Sequence, residues 1–174
     1  MPLDPNWAPD PNAMRLALRQ AKMAAAIKEV PVGAVIFQGT TLIAQAHNQV
    51  EMLHDPTAHA EVLAITQAAA ALGNWRLEDT VMYVTKEPCP MCAGAIVLAR
   101  IPLVVWGMTD PLRGGAVSAF KIFQSETLNH RTDYVTDVLK EECELVMKGF
   151  FKELRNGSDR TRPDAPNAPT DPST

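Results

Sequence analysis

Nowhere in its 174 residues does the sequence hold the run of roughly 18 to 20 apolar residues that a membrane span requires. The first eleven residues lack the basic region and apolar block of a secretory signal, so neither a signal peptide nor a membrane partner is expected. Cysteine is scarce. The three present, Cys89, Cys92 and Cys143, are an odd number in a chain of ordinary composition, which excludes a disulfide-framed scaffold and points to a reducing compartment, the cytoplasm. An excess of positive charge is missing too. With a formal net charge of −4 and a pI near 5.5, the molecule as a whole does not attract nucleic acid, and any RNA contact must use a local basic face. No internal repeat is found.

What is there is one domain's worth of apolar sequence. A chain of 174 residues that is 47 % hydrophobic can bury roughly 70 % of the surface its unfolded form exposes, and a second independent domain is not expected. Residues 1–11 carry Pro2, Pro5, Pro9 and Pro11, whose fixed φ and missing amide protons suit an extended arm. From Asn12 the residues Met14, Leu16, Ala17, Ala21, Ala24, Ala25 and Ile27 gather on one helical face, opposed by Arg15, Arg19, Lys22 and Lys28, which predicts an amphipathic helix lying on a sheet.

Two apolar or β-favouring runs, 32–37 and 41–46, flank Gln38, Gly39 and Thr40 and read as a hairpin. After a polar connection over 47–56, residues 60–72 read as a helix stopped by Gly73 and Asn74. A strand over 81–84, a helix over 93–100 and a strand over 103–106 follow closely enough to suggest a parallel crossover. A Gly-containing loop occupies 113–117, and the stretch from there to Asp133 shows no clear period. A last helix is expected over 141–155, with Leu145, Val146, Phe150 and Leu154 as its apolar stripe. From Asn156 onward Pro, Asp, Asn, Ser and Thr dominate, so a disordered tail over 156–174 is expected to follow a domain spanning 12–155.

The sharpest chemical signal is His59 with Cys89 and Cys92, one nitrogen and two sulfurs suited to zinc. No fourth ligand of similar quality exists. Structural zinc sites close with four protein ligands, whereas three leave a position for water, whose pKa then falls towards about 7. The count therefore favours catalysis with one zinc ion per chain. Cys89 and His59 each sit just ahead of an expected helix, so the site would form where two helix starts converge, a setting that favours thiolates, and Pro88 and Pro90 help fix the turn. Glu61, two residues past His59, can reach such a water without binding the metal. Its role would be to take the proton of that water and deliver protons to a ring nitrogen and a departing amine, helped by desolvation that raises its pKa. Taken singly, these residues read as a hydrogen-bonded His, a redox Cys pair and a solvated Glu. Together, as His-Ala-Glu followed by Pro-Cys-Pro-Met-Cys, they match the H-x-E and P-C-x-x-C signature of zinc nucleobase deaminases. Cys143 has no place in this pattern and reads as buried filling of the last helix.

The likeness extends further. Residues 29–34 (EVPVGA), Asn48, 54–61 (HDPTAHAE), 83–85 (YVT), 87–95 (EPCPMCAGA), 129–131 (NHR), Glu142 with Cys143, and Phe150 with Phe151 stand in the order found in the bacterial tRNA adenosine deaminase family, which the chain resembles from about Asn12 to Arg155. The resemblance implies an α/β fold, the three-layer α/β/α cytidine-deaminase-like arrangement with a mixed, roughly five-stranded sheet. It also implies a homodimer that converts the wobble adenosine of a tRNA anticodon loop to inosine. By the same resemblance His59, Cys89 and Cys92 are zinc ligands, Glu61 is the proton shuttle, Asn48 hydrogen-bonds the target base and Asp110 lies near the sugar of a flanking nucleotide.

An anticodon base is already unpaired, so its capture costs little unstacking. Candidates for contact with the RNA are Arg113, Arg131, Lys148, Lys152 and Arg155, each of which taken alone reads as a solvated surface charge. The chain departs from the family pattern at Gln49 and Val50, where an Arg-Pro pair is usual, at Val117 in place of glycine, and at Lys86 in place of an apolar residue. Two rival readings are a deaminase of a free base such as guanine, which shares the zinc motifs but not the 129–131 and Phe150-Phe151 features, and a non-catalytic zinc-containing RNA-binding protein, which has no need of Glu61.

Overall fold

Asp10 and Pro11 start the first helix, α1 (Pro11–Ala26): the Asp10 carboxylate accepts from the Asn12 amide at 2.8 Å, and proline stands where a helix has no use for its missing N–H. The structure, a computed structural model, describes residues 7–158. The expected tail lies mostly outside them, as does the start of the arm, and α1 opens one residue ahead of the expected boundary.

Strands β1 (Gly33–Gln38) and β2 (Thr41–His47) form the expected hairpin, with a bulge between Ile36 and Phe37 and Gly39 at φ 58° in the turn. β1 also pairs antiparallel with β3 (Thr80–Lys86), and β3 pairs parallel with β4 (Leu103–Met108) across the helix α4 (Pro90–Leu98). A fifth strand, β5 (Asp133–Val135), adds parallel to β4 and completes the order β2-β1-β3-β4-β5. The sheet is mixed and five-stranded, as the resemblance implies.

Alternation along the strands divides the core into two layers. Ala34, Ile36, Met82, Val84, Val104 and Trp106 face the helices α3 (Ala60–Leu72) and α4, packing on Ala60, Ala64, Ala68, Ala93, Ile96 and Val97. Val35, Tyr83, Leu103 and Val105 face α1, through Met14, Ala17 and Leu18, and the last helix, α5 (Lys140–Ser158), through Cys143. The result is helices on both faces of one sheet. Alanine lines the seams because α1 and α3 lie close to the strands. A Cβ on Gly33 would sit 2.1 Å from the Ala17 carbonyl oxygen, so glycine is what lets α1 settle on β1.

Four features differ from the sequence reading. A short helix, α2 (Val50–Leu53), interrupts the connection over 47–56 and ends on His54 in the left-handed region at φ 52°. α4 begins at Pro90, three residues early, because Cys89 takes the N-cap position and proline is compatible with the first turn. A 3₁₀ turn (Ile122–Gln124) and β5 occupy the stretch that showed no period. The buried side of α5 is formed by Cys143, Met147 and Phe150, while Leu145 is 71 % and Leu154 47 % exposed. Gly107 sets this phase: a Cβ there would lie 2.2 Å from Cys143 Sγ, so the sulfur seats against β4 and Leu145 is turned to solvent. No described helix is long and apolar enough to cross a membrane.

Candidate active site

His59 caps the N-terminus of α3 and Cys89 that of α4, and neither side chain is spent on capping its own helix. Both therefore project into the space between the two helix starts, where Cys92, in the first turn of α4, joins them. His59 Nδ1 lies 3.6 Å from Cys89 Sγ and 3.4 Å from Cys92 Sγ, and one ligand atom from each residue falls within 4.8 Å of the others. Two helix N-termini, each carrying partial positive charge, point at this cluster and favour thiolate there.

The protonation pattern follows from proximity. Hydrogen bonding from Cys92, with His59 adding to it against burial, pulls the Cys89 thiol down to about 4. The same contact with Cys89, together with burial, pushes Cys92 strongly upward, so the pair shares one proton. His59 is raised by its hydrogen bond to Cys89, with burial opposing.

Glu61 is the second residue of α3, only 3 % exposed, and burial raises its carboxyl above the ordinary range. Its Oε2 is buried with no hydrogen-bond partner among the described residues. Leaving a carboxylate oxygen so placed is costly unless something else meets it. That orphaned oxygen beside two thiols and an imidazole is the donor chemistry of a small, soft-to-borderline cation with a polar ligand of its own, and zinc fits the set.

These groups open into a cavity of about 730 Å³. Asn48 lines it, 6 % exposed, with its Nδ2 donating to Glu29 Oε2 at 3.0 Å, while Glu29 Oε1 accepts from the Met52 amide at 2.8 Å. Asp110 lines it as well. Its Oδ2 meets Lys86 Nζ at 2.5 Å, and its Oδ1 accepts from the amides of Leu112 and Arg113, both at 3.1 Å. Burial alone would raise the Asp110 carboxyl, but Lys86 and these amides outweigh it and hold it below its ordinary value. The structure thus gathers all six sequence-derived site residues, His59, Glu61, Cys89, Cys92, Asn48 and Asp110, around one region. Of the five cations considered for RNA contact, Arg113 lines the cavity, whereas Lys148 is ion-paired to Glu144 at 2.6 Å on α5. The segment 129–131 braces a loop instead: Arg100 donates to the Asn129 carbonyl and side chain, and His130 bonds the Ile101 carbonyl.

Sequence reasoning missed two buried carboxylates. One is Glu29. The other is Glu87, 2 % exposed, which accepts from the Asp110 and Val117 amides and from the amide of Ser118, each at 3.0 Å, and from Ser118 Oγ. Gly114 makes room for it, since a Cβ there would lie 2.4 Å from the carboxyl carbon. Gly115 donates to the Pro88 carbonyl at 2.7 Å, and a Cβ on it would lie 2.4 Å from the Cys89 carbonyl carbon. The loop over 110–118 is therefore clamped on the Cys89 turn. The paired glycines were the available signal, because adjacent glycines after a buried strand mark close backbone approach. Val117, one of the positions at which the sequence departs from the expected pattern, contributes through its backbone amide.

Comparison with known proteins agrees with this geometry. A family model described as MafB19-like deaminase matches residues 9–155. The tRNA-specific adenosine deaminase of Bacillus subtilis (strain 168) is 47 % identical over 142 residues, 82 % of this chain and 88 % of that protein. The one of Aquifex aeolicus (strain VF5) is 49 % identical over 143 residues, 82 % and 94 % respectively. Among solved structures, one from a study of A-to-I editing by tRNA:A34 deaminases superposes with a TM-score of 0.77 at 39 % identity, covering 79 % of this chain and 99 % of that one. The guanine deaminase from Nitrosomonas europaea superposes with a TM-score of 0.71 at 21 % identity over 83 % of this chain and 85 % of that one, a likeness of fold. With a His-Cys-Cys cluster and a buried glutamate at the meeting of two helix starts, and relatives of this identity and coverage, the chain belongs to the tRNA-specific adenosine deaminase family.

Proposed function

We propose that this chain hydrolyses the exocyclic amine of the wobble adenosine in a tRNA anticodon loop, leaving inosine and ammonia, with one zinc ion held by His59, Cys89 and Cys92. The observation that carries the reading is the orphaned Oε2 of Glu61, buried beside the His59, Cys89 and Cys92 cluster in a cavity with room for more than a single base. When bound, zinc supplies Lewis acidity that makes water a usable nucleophile near neutral pH.

The chain's own residues do the rest. Glu61, its carboxyl raised by burial, is suited to accept a proton from the attacking water and return protons to the ring nitrogen and the departing amine. One water is consumed and one ammonia leaves, so no organic cofactor is required. In this reading Asn48 holds an edge of the base and Asp110 meets the sugar side of a neighbouring nucleotide, which their shared position in the cavity lining supports. Leu112, Phe150 and Phe151 line the same cavity and supply apolar surface against which an unpaired base can pack. A second copy of the chain belongs to this reading, and Met91 and Leu98 on α4 and Phe120 in the loop after β4, exposed at 36 %, 70 % and 60 %, supply apolar surface for it. The same reading takes the cytoplasm as the place of action, where tRNA substrates are met.

The experiment offers the zinc-loaded protein unmodified tRNA and free guanine in parallel. Inosine in the tRNA with guanine untouched supports the proposal. No reaction on tRNA beside rapid deamination of guanine would replace it with the free-base reading.

A further inference from the structure

Glu29 sits in the connection between α1 and β1, 1 % exposed, and lines the same cavity as Asn48. Both its oxygens are used: Oε2 accepts from Asn48 Nδ2 at 3.0 Å and Oε1 from the Met52 amide at 2.8 Å. A carboxylate with two acceptor oxygens can face an amide only through the amide's nitrogen. Asn48 Oδ1 accepts no hydrogen bond among the described residues and is not among the buried orphan atoms, which leaves it open to the cavity that Asn48 lines. Which end of an asparagine amide faces a given direction is decided by the hydrogen-bond network around it.

We propose that Glu29 is a positioning residue that fixes the polarity of Asn48, turning its nitrogen away and offering the substrate base a hydrogen-bond acceptor. The inference rests on the reading of Asn48 as the residue that meets the base. The same carboxylate holds the first turn of α2 through Met52, so the cavity wall formed by Val50 and Glu51 and the base-reading side chain are set by one group. Discrimination between bases then follows from polarity: an acceptor in a desolvated pocket rejects a base that brings its own acceptor there, because both would be left unpaired.

The test exchanges the two groups. In Glu29→Gln the new amide can accept from Met52 only by turning its NH2 on Asn48, which must then rotate and show its nitrogen to the cavity. Asn48→Asp alone sets two carboxylates against each other. The double variant Glu29→Gln with Asn48→Asp restores one donor and one acceptor between them, keeps the net charge and again leaves an oxygen facing the cavity. The expected result is a loss of about 10- to 100-fold in kcat/KM on tRNA for each single variant, the usual scale for a group that orients a contact residue. The double variant should recover most of that loss, with zinc content and melting temperature close to wild type. A double variant that folds and holds zinc but is no more active than the single ones would overturn the assignment.

A second readout does not depend on the substrate. In 15N-labelled protein the Asn48 side-chain amide, identified by its disappearance in Asn48→Asp, should show one proton shifted downfield, and Glu29→Gln should abolish the shift. An Asn48 signal unchanged by Glu29→Gln would also overturn the assignment. Wild type inactive on tRNA with the NMR signature present would contradict the substrate reading while supporting the role of Glu29.

Discussion

Ser118 Oγ donates to Glu87 Oε2 at 2.6 Å across 31 residues of sequence. Through that contact and the three amides beside it, the loop that carries Asp110 and Arg113 is fastened to the strand end that delivers Cys89. Replacing Glu87 with Ala leaves these donors facing a dry gap, at about 1 to 3 kcal/mol for each donor left unsatisfied. Glu87→Ala should therefore lose at least about 3 kcal/mol of stability in denaturant titration, together with zinc affinity. Unchanged stability would mean that water replaces the carboxylate without loss.

Gly115 and Gly94 make a matched pair. A Cβ on Gly115 meets the backbone of Cys89 and Pro90 at 2.4 Å, whereas one on Gly94 meets nothing within 4 Å. Gly115→Ala should displace the metal turn and lower zinc content by elemental analysis. Gly94→Ala, inside α4, should leave zinc intact and stabilise the protein by roughly 0.5 to 1 kcal/mol through helix propensity. Equal effects of the two on zinc would contradict the close approach of the loop to the Cys89 turn.

Zinc uptake should release a number of protons that depends on pH. In the metal-free protein Cys89, at about 4, is already a thiolate at neutral pH, while the strongly raised Cys92 carries a proton that the metal must displace. His59, raised from 6.5, adds a second proton as the pH falls. Calorimetry in buffers of different ionisation enthalpy should give close to one proton at the alkaline end and approach two as the pH falls through the raised His59 titration, with affinity weakening accordingly. Two protons released at the alkaline end would show that both thiols start protonated.

Lys86 holds Asp110 below its ordinary value of 3.8 despite the burial that opposes it. A carboxyl depressed in the folded state contributes stability that is complete above its unfolded value and is lost as pH falls through the folded one. Lys86→Leu should cost on the order of 1 kcal/mol at neutral pH, and the gap from wild type should close in strong acid. A gap independent of pH would place the lysine's contribution in packing of its stem.

The sheet could be read from the sequence because β1, β3 and β4 are buried on both faces and run as continuous apolar stretches. β5 could not, since two of its three residues are exposed and only backbone pairing to β4 makes it a strand. The phase of α5 escaped for a different reason: the apolar residues Leu145 and Leu154 point outward because Cys143, a smaller side chain, is the one that fits Gly107. At the site, His59, Glu61, Cys89 and Cys92 were legible because metal chemistry demands those types at that spacing. Glu29 and Glu87 were not, because a glutamate in a connecting segment carries no mark of burial, and what makes these two matter is the donors that the fold brings to them from elsewhere in the chain.

The most direct test of the account is to incubate the zinc-loaded protein with an unmodified tRNA carrying adenosine at the wobble position and to read inosine by reverse transcription and sequencing. Inosine at that one position with wild type, and none with a Glu61→Ala variant that still binds zinc, is the predicted result. Inosine formed at wild-type rate by Glu61→Ala, or none formed by wild type with zinc bound, would contradict it.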